Sequence, residues 1–345
     1  MPAIRVAILI RPDSPHIDNY LESVAMAKNV ESVALTDPDG TLMERARKYA
    51  GEAAARWRGF RSEDELLRDV RPRFAVVSHP AYRSPEVIRA ALESGAHVLA
   101  EKPACVRAAD FAPLVRLADS KHLHLMLAVV NRATSTVGKA RSVVKSGSIG
   151  RPYAAHIHLV ADQTRLKSPS YQKSWFASKK ESFGGFLSWL SIQYLDMLQY
   201  VAGDRITEAA AMIRNANRLP MDVEDSVAAC FAMSGGLICS LHGGYYMDKS
   251  YQSGFQLWGS DGWLRFSLHG AETRGLEWCS YSGGGTVNSE PIPAEPGAYA
   301  LFTQAAIDAI VSNGPPQITA AESLHLLQTV DAAYRSAAEG KAQRI

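Results

Sequence analysis

Glu101-Lys102-Pro103, directly after the apolar run His97-Val98-Leu99-Ala100, is the segment of this chain best placed to do chemistry. A lysine at the carboxyl end of a parallel strand points into the crevice where open α/β sheets bind ligands. Its ammonium can hold a substrate hydroxyl, and where burial lowers its pKa it can take the hydroxyl proton as a hydride leaves the same carbon. The block therefore marks an active-site cleft between a nucleotide-binding domain and a second domain. The first strand-to-helix turn, Ile10-Arg11-Pro12-Asp13-Ser14-Pro15-His16, is the next candidate. Dinucleotide sites carry Gly-x-Gly-x-x-Gly here, so that backbone can approach a pyrophosphate; this turn has no glycine. What remains is a helix start, with Ser14 as N-cap and Pro15 at the first helical position, leaving N–H groups and a positive dipole end for an anion. Arg11 adds positive charge and Asp13 opposes it. Asp37 closes the second strand, where an acid binds a ribose hydroxyl and repels a 2′-phosphate, which selects NAD over NADP; the alternative is an aspartate serving the turn before Pro38.

The elements that position these residues read clearly in the first third. Apolar strands Arg5–Ile10, Ser32–Thr36, Phe74–Ser78, His97–Ala100 and Leu123–Val129 alternate with helices Ile17–Ala27, Leu42–Tyr49, Glu63–Arg68, Pro85–Glu93 and Ala108–Ser120. Such βαβ repetition, with strands apolar throughout, predicts a parallel sheet covered on both faces. After a helix Ser135–Lys145 the pattern changes to period-two strands: Ala154–Val160, Ser226–Met233, Leu237–His242, Phe255–Trp258 and Trp263–Ser267. These predict an open, mostly antiparallel sheet. A helix Gly185–Val201 interrupts them, and C-terminal helices near Tyr299–Ile310 and Ala320–Ala338 are expected to pack back. The fold class is α/β, with residues 1–129 as a nucleotide-binding domain and 130–345 as a substrate-binding and oligomerisation domain.

Composition excludes several classes of partner. A formal net charge of +2 in 345 residues, with basic residues scattered among acids, leaves no footprint for nucleic acid or a membrane surface. Cys105, Cys230, Cys239 and Cys279 lack metal or redox spacing, so they read as structural thiols in a reducing compartment, and no metal is expected. With no charged-then-apolar leader and no run of 18 apolar residues, the expected location is cytoplasmic.

The run Ala96–Pro103, together with Gly184-Gly185-Phe186-Leu187 and Trp258-Gly259-Ser260-Asp261-Gly262, resembles the glucose-fructose oxidoreductase/inositol dehydrogenase/MocA family over nearly the full length. The resemblance implies a Rossmann domain binding NAD or NADP, an open-sheet second domain, and homodimers or homotetramers formed through that sheet. It also implies a peptide before Pro103 that is often cis. It places Arg11, Ser14, Pro15, His16, Asp37, Ser78, Pro80, Glu101 and Asn131 around the cofactor, with Arg132 lining cofactor and substrate. His79, between Ser78 and Pro80, is unusual for the family. On the helix that normally offers an aspartate and, four residues on, a histidine, this chain has Trp189 and Gln193, which still share a face. Glutamine is no general base at neutral pH, and Asp196, the remaining acid, reads as structural. Proton transfer then falls to Lys102 or to a replacement such as His242, His158 or His156. Tyr245 and Tyr246 follow His242. Trp175, Arg165, Lys179 and Lys180 lie in a polar segment, Asp162–Phe183, of the kind that forms substrate loops or subunit contacts.

These readings predict an NAD-dependent oxidoreductase moving hydride to or from a small polar substrate, a sugar, cyclitol or related polyol or carbonyl, with Lys102 and Gln193 as the catalytic pair and Trp175, Trp189, Arg132 and His242 around the substrate. The rival, motivated by the missing glycines and by Trp189 and Gln193, is a non-catalytic metabolite-binding regulatory protein on the same fold. Family-like chemistry without net redox change ranks third.

Overall fold

Seven residues, Ile4–Ile10, of which all but Arg5 are buried, form β1 at the heart of the first unit. The structure is a computed structural model that describes residues 3–270 and 275–345. Around β1 lie β2 (Val30–Thr36), β3 (Arg58–Phe60), β4 (Phe74–Ser78), β5 (His97–Ala100) and β6 (Leu125–Leu127). Among the described residues they make a six-stranded sheet in the order β3-β2-β1-β4-β5-β6, and every pair is parallel. The order reverses between β1 and β4, which is the topological switch point where such sheets bind ligands beyond the strand ends. Thr36 closes β1 against β2 there, its hydroxyl accepting from Ile10 N at 2.8 Å and donating to Ile10 O at 2.5 Å. The expected helices are present with ends shifted by one or two residues, as Ile17–Met26, Thr41–Ala50, Glu63–Val70, Ser84–Glu93 and Ala108–Ser120. The short β3 escaped the sequence reading because three residues, Arg-Gly-Phe, carry no periodicity.

The chain divides into this unit (Met1–Ala133, Lys180–Phe183 and Pro296–Leu324) and a second one (Thr134–Lys179, Gly184–Glu295 and His325–Ile345). The helix Ala298–Ser312, expected to pack back, belongs with the first unit. Arg73 ties it there, donating to Ile310 O at 3.0 Å.

In the second unit the strands are β7 (Pro152–Asp162), β8 (Ile206–Arg214), β9 (Ser226–Met233), β10 (Ile238–Met247), β11 (Gln252–Gly259), β12 (Gly262–Phe266), β13 (Gly275–Ser280), β14 (Val287–Pro291) and β15 (Gln343–Arg344). Among the described residues the sheet is nine-stranded, in the order β14-β13-β12-β11-β7-β10-β9-β8-β15, and antiparallel except between β10 and β7. β8, β13, β14 and β15 are additions to the strands expected from sequence. β10 also runs past His242 to Met247, so Tyr245 and Tyr246 are strand residues. Alternation is strict in β7: Ala155, Ile157 and Leu159 are buried, while His156, His158 and Val160 are half-exposed.

The single helix expected over Gly185–Val201 is instead a π-helical turn, Leu187–Ser191, followed by the helix Ile192–Ala202. Its start is clamped from below by Glu224, a buried carboxylate that accepts from Gly185 N and Leu187 N, each at 2.8 Å, and from Tyr334 Oη at 2.7 Å. A carboxylate satisfies the orphan donors of a helix start and suits its dipole. This clamp explains the Gly184-Gly185 pair. A Cβ on Gly185 would lie 1.9 Å from Glu224 O, and one on Gly184 would lie 1.9 Å from Tyr334 Oη. Gly185→Ala is therefore expected to destabilise the protein by about 2 to 3 kcal/mol, since a methyl has no room against fixed backbone; comparison of denaturant midpoints with the parent protein checks this.

Candidate active site

The first strand-to-helix turn is built without glycine by two serines. Ser14 N donates to Arg11 O at 3.0 Å, and Ser14 Oγ accepts from Arg11 N at 2.8 Å and donates to Ser78 O at 2.5 Å. Ser78 Oγ in turn donates to Pro15 O at 2.6 Å. The turn is thereby stapled to the end of β4. Ser14 is consequently not the N-cap, nor is Pro15 the first helical residue: the helix starts at Ile17, and the cap position is His16. Capture of the Ser14 hydroxyl by the β4 carbonyl delays the helix by two residues. His16 adopts the left-handed conformation, φ 54° and ψ 28°, with no side-chain cap. A non-glycine there costs roughly 1 kcal/mol, so a conformation that glycine would take freely is supplied here by histidine. Pro12 and Pro15 have no N–H, and the N–H groups of Arg11 and Ser14 are spent inside the turn. An anion bound at this point faces the first turn of the helix rather than a loop cradle.

Glu101 and Lys102, at the carboxyl end of β5, are both buried, 2% and 3% exposed. Glu101 Oε2 accepts from the hydroxyls of Tyr20 and Tyr299, the latter at 3.2 Å. Its Oε1 lies 3.7 Å from Lys102 Nζ and 3.9 Å from His16 Nε2. Burial pushes the Glu101 carboxyl above its usual range, opposed by the Lys102 charge and the two phenols. Both phenols are pushed well up, by burial first and the Glu101 charge next, so they remain donors. The Lys102–Pro103 peptide is cis. His16 also packs on Tyr299, ring centres 5.3 Å apart. Ser14, Pro15, His16, Ser78, Glu101 and Lys102 thus converge on the ends of β1, β4 and β5.

The other first-unit candidates have local duties. Asp37 Oδ1 accepts from Leu42 N at 3.0 Å at the start of the helix Thr41–Ala50, and the residue remains half-exposed. Arg11 reaches Asp13 at 3.8 Å. Pro80 O accepts from Arg83 N and Ser84 N. Asn131 is half-buried in the short turn after β6. Arg132 is turned into its own unit, where Nη1 donates to Gln317 O at 2.6 Å.

His79 is fully buried; Glu63 Oε1 approaches Nε2 to 3.3 Å, but neither ring nitrogen has a hydrogen-bond partner among the described residues. Burial, then Arg83 and Arg11, lower its pKa to about 3.

In the second unit, Trp189 on the π-turn meets Trp175 at 5.4 Å and Phe176 at 4.9 Å between ring centres. Trp175 and Trp189 are therefore in contact, while Gln193 is buried one turn further on, past the π-to-α junction. His242 is not with them. Gly243 and Tyr245 face Phe186 at the head of this helical segment, so His242 points to the other face of the sheet, beside His158 and His156. His156 Nδ1 is paired with Ser240 Oγ at 2.9 Å. The period of two decides this, and the sequence alone could not say which face the helix covers. Tyr20, Tyr299, Glu224 and Tyr334 were missed, because partners so distant in sequence leave no local signal.

Residues 14–129 match the model of an oxidoreductase family with an NAD-binding Rossmann fold, and residues 137–265 match the GFO/IDH/MocA C-terminal domain. The chain is 28% identical over 319 residues to a 1,5-anhydro-D-fructose reductase of Ensifer adhaerens, covering 88% of this chain and 89% of that protein. It is 25% identical to a D-apiose dehydrogenase of Paraburkholderia graminis, covering 94% and 85%. A levoglucosan dehydrogenase solved with NADH and L-sorbose superposes with a TM-score of 0.85 at 18% identity, covering 100% and 99%. This chain belongs to the Gfo/Idh/MocA family of oxidoreductases, and its first domain is the family's NAD-binding Rossmann domain. The residues fit that cofactor: the switch-point crevice has a helix N-terminus at Ile17, a left-handed His16 just before it, and the acid Asp37 just past the end of β2.

His79 gives the first unit a pH dependence of known sign. Its folded pKa, about 3, lies below the ordinary 6.5, so the unfolded chain alone takes the proton between these values. Stability is full above pH 6.5 and falls as pH drops toward 3, by up to about 1.4 kcal/mol per unit. His79→Gln should flatten this slope, seen in urea midpoints at about pH 7.5 and about pH 5; an unchanged slope would remove the assignment.

Proposed function

We propose that the protein is an NAD-dependent dehydrogenase or reductase of a sugar, cyclitol or related polyol, with Lys102 as the group that holds the substrate oxygen and moves its proton. The observation that carries this reading is the buried Lys102 at the end of β5, with Glu101 held beside it by Tyr20 and Tyr299. When bound beside the Ile17 helix start and Asp37, the cofactor would supply the hydride chemistry, the oxidised form accepting and NADH donating. In reduction the Lys102 ammonium stabilises negative charge growing on the reacting oxygen and gives it a proton; in oxidation the neutral Lys102 amine takes the hydroxyl proton. Glu101 lowers the cost of a cation in this dry position. Gln193, whose amide gives and accepts hydrogen bonds but takes no proton at neutral pH, leaves proton transfer to Lys102. The relatives support the substrate class, since their names are those of sugar reductases and dehydrogenases.

The glycine-free turn and Gln193 favour one second reading, a binding protein of the same fold without turnover. The two separate on Lys102→Met. An enzyme loses kcat/KM by about 10² to 10⁴ on its best sugar or polyol while NADH affinity by calorimetry stays within a few-fold. A parent protein that binds both NADH and sugar yet shows no redox change across a panel of sugars and cyclitols establishes the second reading.

Asp37 is assigned the adenosine ribose. Asp37→Ser should narrow the preference for NAD over NADP by roughly tenfold, the effect of removing a like charge of about 1 to 2 kcal/mol; equal affinities in the parent protein would end that assignment.

A further inference from the structure

The segment after β7 carries a cation, Arg165, that has no carboxylate at ion-pair distance among the described residues. Arg165, in the turn Thr164–Lys167, is exposed, and its Nη2 donates to Tyr245 Oη at 2.6 Å. Its guanidinium carbon lies 5.2 Å from the centre of the Tyr245 ring and 5.5 Å from that of Tyr171. Among the described residues no carboxylate stands at ion-pair distance from it, whereas Arg45, Arg107 and Arg265 are paired with Asp18, Asp110 and Glu277. The nearest acid in sequence, Asp162, spends its oxygens on Thr164 N, Thr164 Oγ1 and Lys249 N. Lys167 is matched with Asp248. A phenol is a neutral partner, so the guanidinium keeps its full charge and an N–H edge of the shape that accepts two oxygens of one anion.

An aromatic wall continues from this cation. Tyr171 stacks on Phe176 with ring centres 5.9 Å apart and planes 17° apart, and Phe176 stacks on Trp175 at 4.0 Å. Trp189 closes the row, 4.9 Å from Phe176. Tyr171 and Phe176 are only half-buried and so present ring surface to a ligand. Flat apolar rings suit the C–H face of a sugar, and a forked cation at their edge suits an oxyanion attached to it.

We propose that Arg165, with Tyr171 and Phe176, forms a subsite for an oxyanion carried by the substrate, so that the natural substrate is an acidic sugar or polyol bearing a carboxylate or a phosphate. This rests on the sugar or polyol reading above. The test uses the full-length protein saturated with NADH and calorimetric titration of D-glucuronate, D-gluconate and D-glucose 6-phosphate against D-glucose and myo-inositol. The expected result is that at least one acidic probe binds about tenfold or more tighter than the neutral ones, with the preference falling as salt is raised. Arg165→Met should then weaken the acidic probe by about ten- to a hundredfold, leaving NADH and the neutral probes unchanged, and Arg165→Lys should restore part of the loss. Which acidic probe gains tells carboxylate from phosphate. Neutral probes binding as well as acidic ones, or an acidic probe indifferent to Arg165→Met, overturns the subsite and leaves the sugar reading standing. If none of the probes binds while NADH does, both fall.

Discussion

A buried carboxylate shared among two phenols and a lysine organises the ligand-facing end of the first sheet. Glu101 is 2% exposed, and an isolated charge in that position would cost several kcal/mol. It is tolerated because Tyr20 and Tyr299 donate to one oxygen while Lys102 and His16 stand near the other. The same arrangement fixes Lys102 at the strand end. Tyr20 lies on the first helix, 81 residues before Glu101, and Tyr299 on a helix 198 residues after it, so one acid joins two helices distant in sequence to the end of β5 beside Lys102.

Glu224 does the corresponding work in the second unit. It holds the start of the π-turn by two main-chain N–H groups and anchors Tyr334 with the same carboxylate. Burial raises its pKa, opposed by Tyr334 and the two N–H groups. π-turns often occur at functional sites, and this one carries Trp189 into the aromatic row. Two internal carboxylates, Glu101 and Glu224, thus hold the strand end of one unit and the π-turn of the other.

The departures from family pattern have physical replacements. The glycine turn gives way to a Ser14/Ser78 staple and a left-handed His16, which keep the turn close to β4 without a flexible backbone. The acid and base that the family resemblance leads one to expect on the helix give way to Trp189 and Gln193, neither of which takes a proton at neutral pH. Both changes preserve the frame and alter what it can hold.

The sequence by itself determined the parallel sheet, the change to an open antiparallel sheet, and the family. Those signals are local: apolar runs, period-two alternation, and a motif of adjacent residues. Only the tertiary structure decided that Ser14 staples rather than caps, that Arg132 serves its own unit, that His242 lies on the sheet face away from Trp189, and that Tyr20 and Tyr299 complete Glu101. Each of these depends on a partner brought from far along the chain, or on which face of a strand a helix covers, and neither is written in the spacing of residues.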